Sequence, residues 1–170
     1  MRLIAAVDNN WGIGCDGKLL AHISDDMRRF HAITDKKTVI MGRKTLESFP
    51  NKRPLSGRKN IVLSSNPKYK IPGISVVHNI HELFHSIKRY NSDQVYVIGG
   101  CEIYKQLARY CDIAFITKID YVWDNADVYC PNLDELSGWE ILEENVPVME
   151  YAGLSYKFLT YINGKVEQYV

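Results

Sequence analysis

Apolar residues occur along the chain in short unbroken runs that are separated by amphipathic segments. Five of the runs are too short for helices and are typical of β-strands covered on both faces. They lie at residues 3–7, 39–41, 61–63, 95–98 and 113–116. Strands that alternate with helical segments predict an α/β fold with a mainly parallel central sheet and helices on both faces.

Three of the amphipathic segments predict helices. Residues 24–33 begin with Ser24, a residue type that caps helices, and continue with two acids in the first turn. Residues 80–87 carry apolar side chains at positions i, i+3, i+4 and i+7. Ile103 and Leu107 indicate a third helix immediately after the Gly99-Gly100 pair.

The pattern changes near the C-terminus, where Tyr156, Phe158 and Thr160 alternate with Lys157 and Leu159. Alternation of this kind predicts an antiparallel hairpin, which we expect to close one edge of the sheet. The chain shows neither a repeat nor a linker. We therefore expect one domain spanning residues 1–170.

Composition indicates an ordinary soluble protein, with 46% hydrophobic and 24% charged residues. No apolar run approaches the roughly 18 residues that a membrane span requires, and we expect no membrane partner. Met1 is followed directly by a strand-like segment, so we expect no secretory leader. The four cysteines are widely spaced and form no CxxC pair, which favours free thiols and a cytoplasmic location.

Charge is distributed unevenly along the chain. The formal net charge of +1 argues against nucleic-acid binding. Residues 36–59, however, contain eight basic side chains and one acidic side chain, a local net charge of +7. A positive field of this density suits a compact polyanionic ligand, although a solvated basic surface is the alternative.

Residues 81–85 match HExxH, the motif of a zinc-protease helix. The helical spacing places His81 and His85 roughly 100–140° away from the apolar stripe, so both are expected to face water. A catalytic zinc ion needs a cleft and a third ligand. We therefore expect an exposed helix surface and no metal.

Residues 12–17 match GxGxxG, the motif of dinucleotide-binding turns. In those turns the helix begins within the motif, so that its N-terminus contacts the pyrophosphate. Here the first plausible helix start is Ser24. The glycines are thus expected in a loop of about fifteen residues, a length that is usually functional.

Asp26 is the residue of the first helix with the clearest chemical potential, because it shares the apolar stripe with Phe30 at i+4. Asp25 is expected to meet Arg28 and Arg29 on the solvent side. Burial of a carboxylate costs several kcal/mol unless a partner binds it. Asp26 is therefore a candidate ligand-binding or acid–base group, while a first-turn acid that supports the helix dipole is the alternative.

Three strand ends supply groups that bind phosphate. Residues 42–45 combine a glycine, two cations and a hydroxyl at a helix start, and residues 99–102 place two glycines before another helix. Ser64 and Ser65 add hydroxyls at a third end. Because ligands of parallel sheets bind beyond the carboxyl ends of strands, one anionic nucleotide could span all three.

Taken in order, several motifs resemble the dihydrofolate reductase family of the bacterial chromosomal type over nearly the whole chain. The matching segments are residues 4–6, 13–14, 26–27 with Phe30, 39–45, 53–60, 63–65, 98–100 with Tyr104, 117–119, Asp127 and 129–131. The resemblance implies an NADPH-dependent enzyme that reduces dihydrofolate, and we expect it to act as a monomer.

The resemblance also implies roles for individual residues. Asp26 would bind the amino group and ring nitrogen of the pterin, supported by Thr117. Other substrate-binding residues would be Ile4, Ala5, Met27, Phe30, Phe49, Leu55, Arg58, Ile98 and Tyr104. Cofactor-binding residues would be Ala6, Ile13, Gly14, Leu19, Gly42, Arg43, Lys44, Thr45, Leu63, Ser64, Ser65, Gly99, Gly100, Cys101, Glu102 and Ile103.

Within this resemblance, Arg58 would grip the glutamate carboxylate of the substrate. Arg43, Lys44 and Ser65 would meet the 2′-phosphate of NADPH, and the peptide between Gly99 and Gly100 would be cis. The segment from Gly14 to Leu19 would close over the nicotinamide.

The sequence departs from the family at two points. Leu20-Ala21 replaces the usual Pro-Trp, which opens space near the pterin, and His31 replaces a frequent lysine or arginine. Two alternatives stay open: a reductase of a riboflavin-pathway pyrimidine on the same fold, and a nucleotide-binding module without turnover. Asp26 and Arg58 favour folate over the pyrimidine.

Overall fold

The computed structural model describes residues 1–143 and 145–169. The strands are β1 (Arg2–Val7), β2 (Gly12–Cys15), β3 (Lys18–Leu19), β4 (Thr38–Gly42), β5 (Lys59–Leu63), β6 (Ser75–Val77), β7 (Val95–Gly99), β8 (Ile113–Ile119), β9 (Val128–Tyr129), β10 (Trp139–Ile141), β11 (Met149–Tyr151) and β12 (Leu154–Asn163). The α-helices are α1 (Ser24–Thr34), α2 (Arg43–Ser48), α3 (Ile80–Ile87) and α4 (Cys101–Leu107). Single 3₁₀ turns lie at Pro50–Lys52, Ser92–Gln94 and Ala108–Tyr110.

The central sheet has the strand order β10-β12-β8-β1-β7-β4-β5-β6. From β8 to β6 all neighbours are parallel, whereas β12 runs antiparallel to β8 and to β10. β11 pairs with β12 to form the C-terminal hairpin. The predicted mainly parallel sheet with an antiparallel C-terminal edge is confirmed.

Hydrophobic packing covers both faces of this sheet. On one face, Leu83 of α3 and Leu107 of α4 belong to the same buried cluster as Ile40 of β4. On the other face, Leu46 of α2 packs with Val39 and with residues next to it in the sheet. Successive residues of β4 thus point to opposite sides, which is why its apolar run is unbroken.

Helix α1 begins at the predicted residue, but the expected cap is wrong. The N-cap position is Ile23, whose side chain makes no capping hydrogen bond. Ser24 lies inside the helix, and its hydroxyl donates to Tyr151 Oη at 2.9 Å. Buried Ile23 instead packs against Ile119 and Tyr156, so the start of α1 is held by tertiary contacts.

The GxGxxG segment forms short strands where a loop was expected. β2 and β3 make a hairpin that pairs with β9 in a separate antiparallel sheet. Within the described residues, the first α-helix after the motif is α1, so a dinucleotide-binding turn is excluded. Buried Asp8 anchors the segment, because its carboxylate accepts the backbone N–H groups of Asn10, Gly12 and Trp123 at 2.9, 2.7 and 3.1 Å.

Among the residues that the structure describes, the helices are all too short or too polar to cross a membrane.

Candidate active site

The centre of the candidate active site is a carboxyl–hydroxyl pair between α1 and the sheet. Thr117 of β8 donates a hydrogen bond of 2.6 Å from its Oγ1 to Oδ1 of Asp26. Thr117 is buried at 1% exposure, whereas Asp26 retains partial access to solvent. The second carboxylate oxygen can therefore receive hydrogen bonds from a ligand in the groove.

The environment of Asp26 works against ionisation. Burial raises the pKa of the Asp26 carboxyl above its ordinary value, while the Thr117 hydrogen bond and the positive charge of Arg29 oppose this rise. A planar ligand that presents two N–H donors would stabilise the ionised form by charge-assisted hydrogen bonds. A perturbed acid in a groove is a frequent mark of a functional site.

The apolar side chains that the resemblance assigns to the substrate pocket are only partly buried. Phe30, Phe49, Leu55 and Ile98 are half-buried, and Met27 is 43% exposed one residue after Asp26. Phe49, Leu55 and Ile98 pack against the buried cluster that contains Leu46. A flat heterocycle can bury against such a surface while its polar edge meets Asp26.

Arg58 is held in place near the C-terminal end of helix α1. Its Nε donates to Thr34 Oγ1 at 2.8 Å and its Nη1 donates to the carbonyl of Ser56 at 2.8 Å. Thr34 in turn donates to the carbonyl of Phe30, which ties Arg58 to helix α1. Burial lowers the pKa of the Arg58 guanidinium, but a group of this kind stays charged at neutral pH.

Buried Asn60 shapes the loop before β5. Its side chain accepts from Leu55 N at 3.0 Å and donates to the carbonyls of Leu55 and Arg58 at 2.9 and 3.0 Å. Leu55 and Arg58 are thereby presented from one rigid turn. The matching segment 53–60 includes Asn60 but indicates no role for it, whereas its burial at 5% exposure and its three hydrogen bonds show that it orders this turn.

The predicted phosphate-binding segments, residues 42–45, 64–65 and 99–102, lie at the carboxyl ends of the neighbouring strands β4, β5 and β7. We call this region the nucleotide edge. β4 lies between β7 and β5, with Met41 opposite Gly99 and Gly42 opposite Leu63. The peptide between Gly99 and Gly100 is cis, as the family resemblance implies. The carboxyl ends of three parallel strands therefore converge, as binding of one extended nucleotide requires.

A side chain would be tightly packed at two glycines of this edge. A Cβ on Gly42 would lie 3.1 Å from Cγ1 of Ile103, and a Cβ on Gly100 would lie 3.2 Å from the hydroxyl of Thr45. The absence of both side chains leaves the backbone N–H groups at the starts of α2 and α4 open to a ligand. The donor set fits a pyrophosphate.

The cations of the basic segment divide between two regions. Exposed Lys44 and half-buried Arg43 lie at the nucleotide edge beside Ser65, whereas Arg58 lies at the groove. Arg43 also pairs with Glu47 at 2.7 Å, which neutralises part of its charge. The combination suits a ligand that carries an extra phosphate.

The other predicted cofactor and substrate residues lie around these groups. Tyr104 is buried beneath Gly99 and donates to the carbonyl of Ile4 at 2.8 Å. Residues Ala5, Ala6, Ile13, Gly14 and Ser64 are buried or half-buried, Cys101 is half-buried, and Glu102 and Leu19 are exposed. The Gly14–Leu19 segment is tied to the β9 region, because Asp127 accepts the N–H of Asp16 at 2.9 Å.

The altered corner before α1 is filled by packing. Ala21 contacts the buried cluster of Ile23, Ile119 and Tyr156, while Leu20 is half-buried. His31, the other departure, is exposed on α1.

The HExxH segment has a structural explanation. His81 and His85 are exposed as predicted, at the border of an open cavity of about 720 Å³ that lies outside the groove. The carboxylate of Glu82 accepts from the backbone of His78 at 2.8 Å and from the side chain of Asn79 at 2.7 Å. Glu82 therefore belongs to the N-terminal capping of α3.

One expectation about α1 is wrong. Arg28 pairs with Asp25 at the surface, but Arg29 turns inward and packs on Phe115 and Phe158. Periodicity alone could not separate the two arginines, because both lie within reach of Asp25 on a helix.

Comparisons with known proteins agree with this geometry. A family model described as dihydrofolate reductase matches residues 1–163. The chain is 36% identical over 159 residues to dihydrofolate reductase of Bacillus subtilis, covering 93% of this chain and 91% of that protein. It is 33% identical over 160 residues to the enzyme of Neisseria meningitidis, covering 94% and 96%.

A solved structure shows the same architecture. Dihydrofolate reductase from Enterococcus faecalis, complexed with NADP(H) and RAB-propyl, matches with a TM-score of 0.83 and 32% identity over 95% of each chain. The family match spans the Asp26 groove and the glycine-rich nucleotide edge together. This chain therefore belongs to the dihydrofolate reductase family of NADPH-dependent oxidoreductases.

Proposed function

We propose that the 170 residues form one catalytic domain that reduces 7,8-dihydrofolate to 5,6,7,8-tetrahydrofolate with NADPH. The observation that carries the proposal is the 2.6 Å bond from buried Thr117 to the partly exposed carboxylate of Asp26. Membership of the reductase family supports turnover over a binding module. It also supports folate over a riboflavin-pathway pyrimidine, in accord with the positions of Asp26 and Arg58.

Asp26 binds and orients the substrate in this mechanism. Its carboxylate accepts hydrogen bonds from the amino group and ring nitrogen of the pterin, and Thr117 fixes one of its oxygens. The apolar groove of Met27, Phe30 and Ile98 takes the ring faces. Arg58 binds the α-carboxylate of the glutamate tail, because its guanidinium is already fixed by Thr34.

The nucleotide edge holds the cofactor. Amides at Gly100 and after it, together with Thr45, would bind the pyrophosphate, and Arg43, Lys44 and Ser65 would bind the 2′-phosphate. NADPH supplies the hydride that reaches C6 of the pterin. Asp26 favours protonation at N5 through water, since a group bound at the opposite edge of the pterin does not reach N5.

Closure excludes water from the reaction. The Gly14–Leu19 segment would cover the nicotinamide, with Ile13 and Leu19 as its apolar residues. The bond from Asp16 N–H to Asp127 at 2.9 Å supports this position of the segment. Asp127 would therefore help to hold the segment beside β9.

The direct test is a spectrophotometric assay with dihydrofolate and either NADPH or NADH. We expect oxidation of NADPH that depends on dihydrofolate, with NADH much weaker. Asp26→Asn is the matched control, because it keeps the shape of the acid and should bind NADPH normally. Tight NADPH binding without dihydrofolate-dependent oxidation in the wild-type protein would contradict the proposal.

We further propose that the enzyme is a monomer of the cytoplasm that does not bind nucleic acid. The four cysteines are unpaired thiols, two of them buried, which suits a reducing compartment. The local positive charge of residues 36–59 is used for small anions. Light scattering during gel filtration tests whether the protein is a monomer. A gel-shift assay with added DNA tests whether it binds nucleic acid.

A further inference from the structure

A partly buried arginine, Arg29, lies near the candidate catalytic acid Asp26. Arg29 follows Asp26 by three residues on α1, so the two side chains share one face of the helix. The Nη1 atom of Arg29 is buried and has no hydrogen-bond partner among the residues that the structure describes. A charged group left in this state needs an explanation beyond space filling.

Two aromatic rings fix the position of the guanidinium. Its Cζ lies 4.5 Å from the ring centroid of Phe158 and 5.5 Å from that of Phe115. Phe158 is the cross-strand partner of Thr117, and Phe115 precedes Thr117 by two residues on the same side of β8. The two rings therefore place Arg29 beside the Thr117–Asp26 hydrogen bond.

Arg28 shows by contrast why Arg29 is special. Arg28 forms an ion pair with Asp25, and 74% of its side chain is exposed to solvent. Solvent screening and the direct pair leave it little influence on Asp26. Within the described part of the chain, Arg29 has no carboxylate within ion-pair distance, so its charge is not neutralised locally.

We propose that Arg29 is a positioning residue for the reaction, whose fixed positive charge keeps the Asp26 carboxyl ionised at neutral pH so that it can bind the pterin. The inference rests on the proposed role of Asp26. An opposite charge favours the ionised form of a carboxyl, and the effect grows when water is excluded. Arg29 thus offsets part of the penalty that burial imposes on Asp26.

The other groups that face Asp26 do not titrate near neutrality. Thr117 donates its hydrogen bond from β8, and Tyr104 faces Asp26 from α4 with a pKa raised well above its ordinary value by burial. Tyr156 of β12 donates to Asp25 at 2.7 Å, and burial raises its pKa to about 12. Arg29 is therefore the charged neighbour whose removal isolates the effect.

The experiment is a titration of Asp26 in the full chain without ligands, followed by carbon NMR of labelled aspartate and assigned with Asp26→Asn. Arg29→Met and Arg29→Gln remove the charge and keep most of the bulk. In both we expect the titration midpoint of Asp26 to move upward by about one pH unit. Arg29→Lys keeps the charge and should restore the midpoint, and Arg28→Met is the exposed control that should leave it unchanged.

The same variants are then assayed for dihydrofolate reduction across pH. The charge-removing variants should show a pH profile displaced in the same direction as the NMR midpoint, whereas a merely structural role would lower activity equally at every pH. An unchanged midpoint in folded Arg29→Met or Arg29→Gln, or an equal displacement in Arg29→Lys, would overturn the inference. Because the NMR titration needs no turnover, failure of the proposed function would be seen separately in the wild-type assay.

Discussion

Replacement of Thr117 by valine isolates the hydrogen bond at the centre of the site. Valine keeps the shape of threonine but removes the hydroxyl that donates to Asp26 at 2.6 Å. Thr117 is 1% exposed, so water does not readily replace the lost donor. The variant therefore changes hydrogen bonding with little change in packing.

A hydrogen bond to a charged group contributes about 1.5–3 kcal/mol. Since each 1.4 kcal/mol corresponds to about a factor of ten, kcat/KM for dihydrofolate should fall roughly 10- to 100-fold. The pKa of Asp26 should rise further, because the Thr117 bond now opposes the effect of burial. The affinity for NADPH should not change, since the nucleotide edge lies on other strands.

The assay is the pH dependence of kcat/KM, with NADPH affinity measured separately by fluorescence. Thr38→Val is the matched control, because Thr38 is equally buried at 3% exposure but lies at the opposite end of β4 from Gly42. A Thr117→Val enzyme within twofold of wild type, with an unchanged pH profile, would refute the assigned role of the hydrogen bond.

Three other substitutions test separate parts of the structure. Asp26→Asn should lose about 100-fold or more of its turnover at pH 7, with partial recovery in acid. Above the raised pKa of Asp26, the variant should also be more stable to urea than wild type. This difference should shrink as the pH falls below that raised pKa and should be absent below the ordinary pKa that the carboxyl has in the unfolded chain. Asp8→Ala should cost about 2–4 kcal/mol in urea unfolding, because buried N–H groups lose their acceptor, whereas exposed Asp120→Ala should cost little. Arg58→Met should raise KM for dihydrofolate about 10- to 100-fold, and an equal effect on a pterin without the glutamate tail would contradict its role.

The architecture of the sheet could be predicted from the amino-acid pattern. Unbroken apolar runs separated by helical segments indicated parallel strands covered on both faces, and the structure places β1, β4, β5, β7 and β8 over those runs. This works because burial on both faces constrains every position of a strand. The position of Asp26 on the apolar stripe was also readable, since helical periodicity is local.

The short strands β2, β3 and β9 could not be predicted from the apolar pattern. Two to four residues carry no periodic signal, and their pairing depends on contacts distant in the chain. The prediction that Ser24 caps α1 was wrong for a related reason. Ser24 has the right side chain for a cap, but packing of Ile23 against Ile119 decided where the helix begins.

The groups that surround Asp26 depend on the tertiary structure and could not be predicted from local sequence. Thr117 is 91 residues from Asp26 in the chain, and only the pairing of β8 with β1 and the docking of α1 bring them together. Arg28 and Arg29 both lie within reach of Asp25 by local helical spacing. Docking of the helix on Phe115 and Phe158 turns Arg29 inward and leaves its neighbour in solvent, because a side chain's environment is set by the surface opposite it.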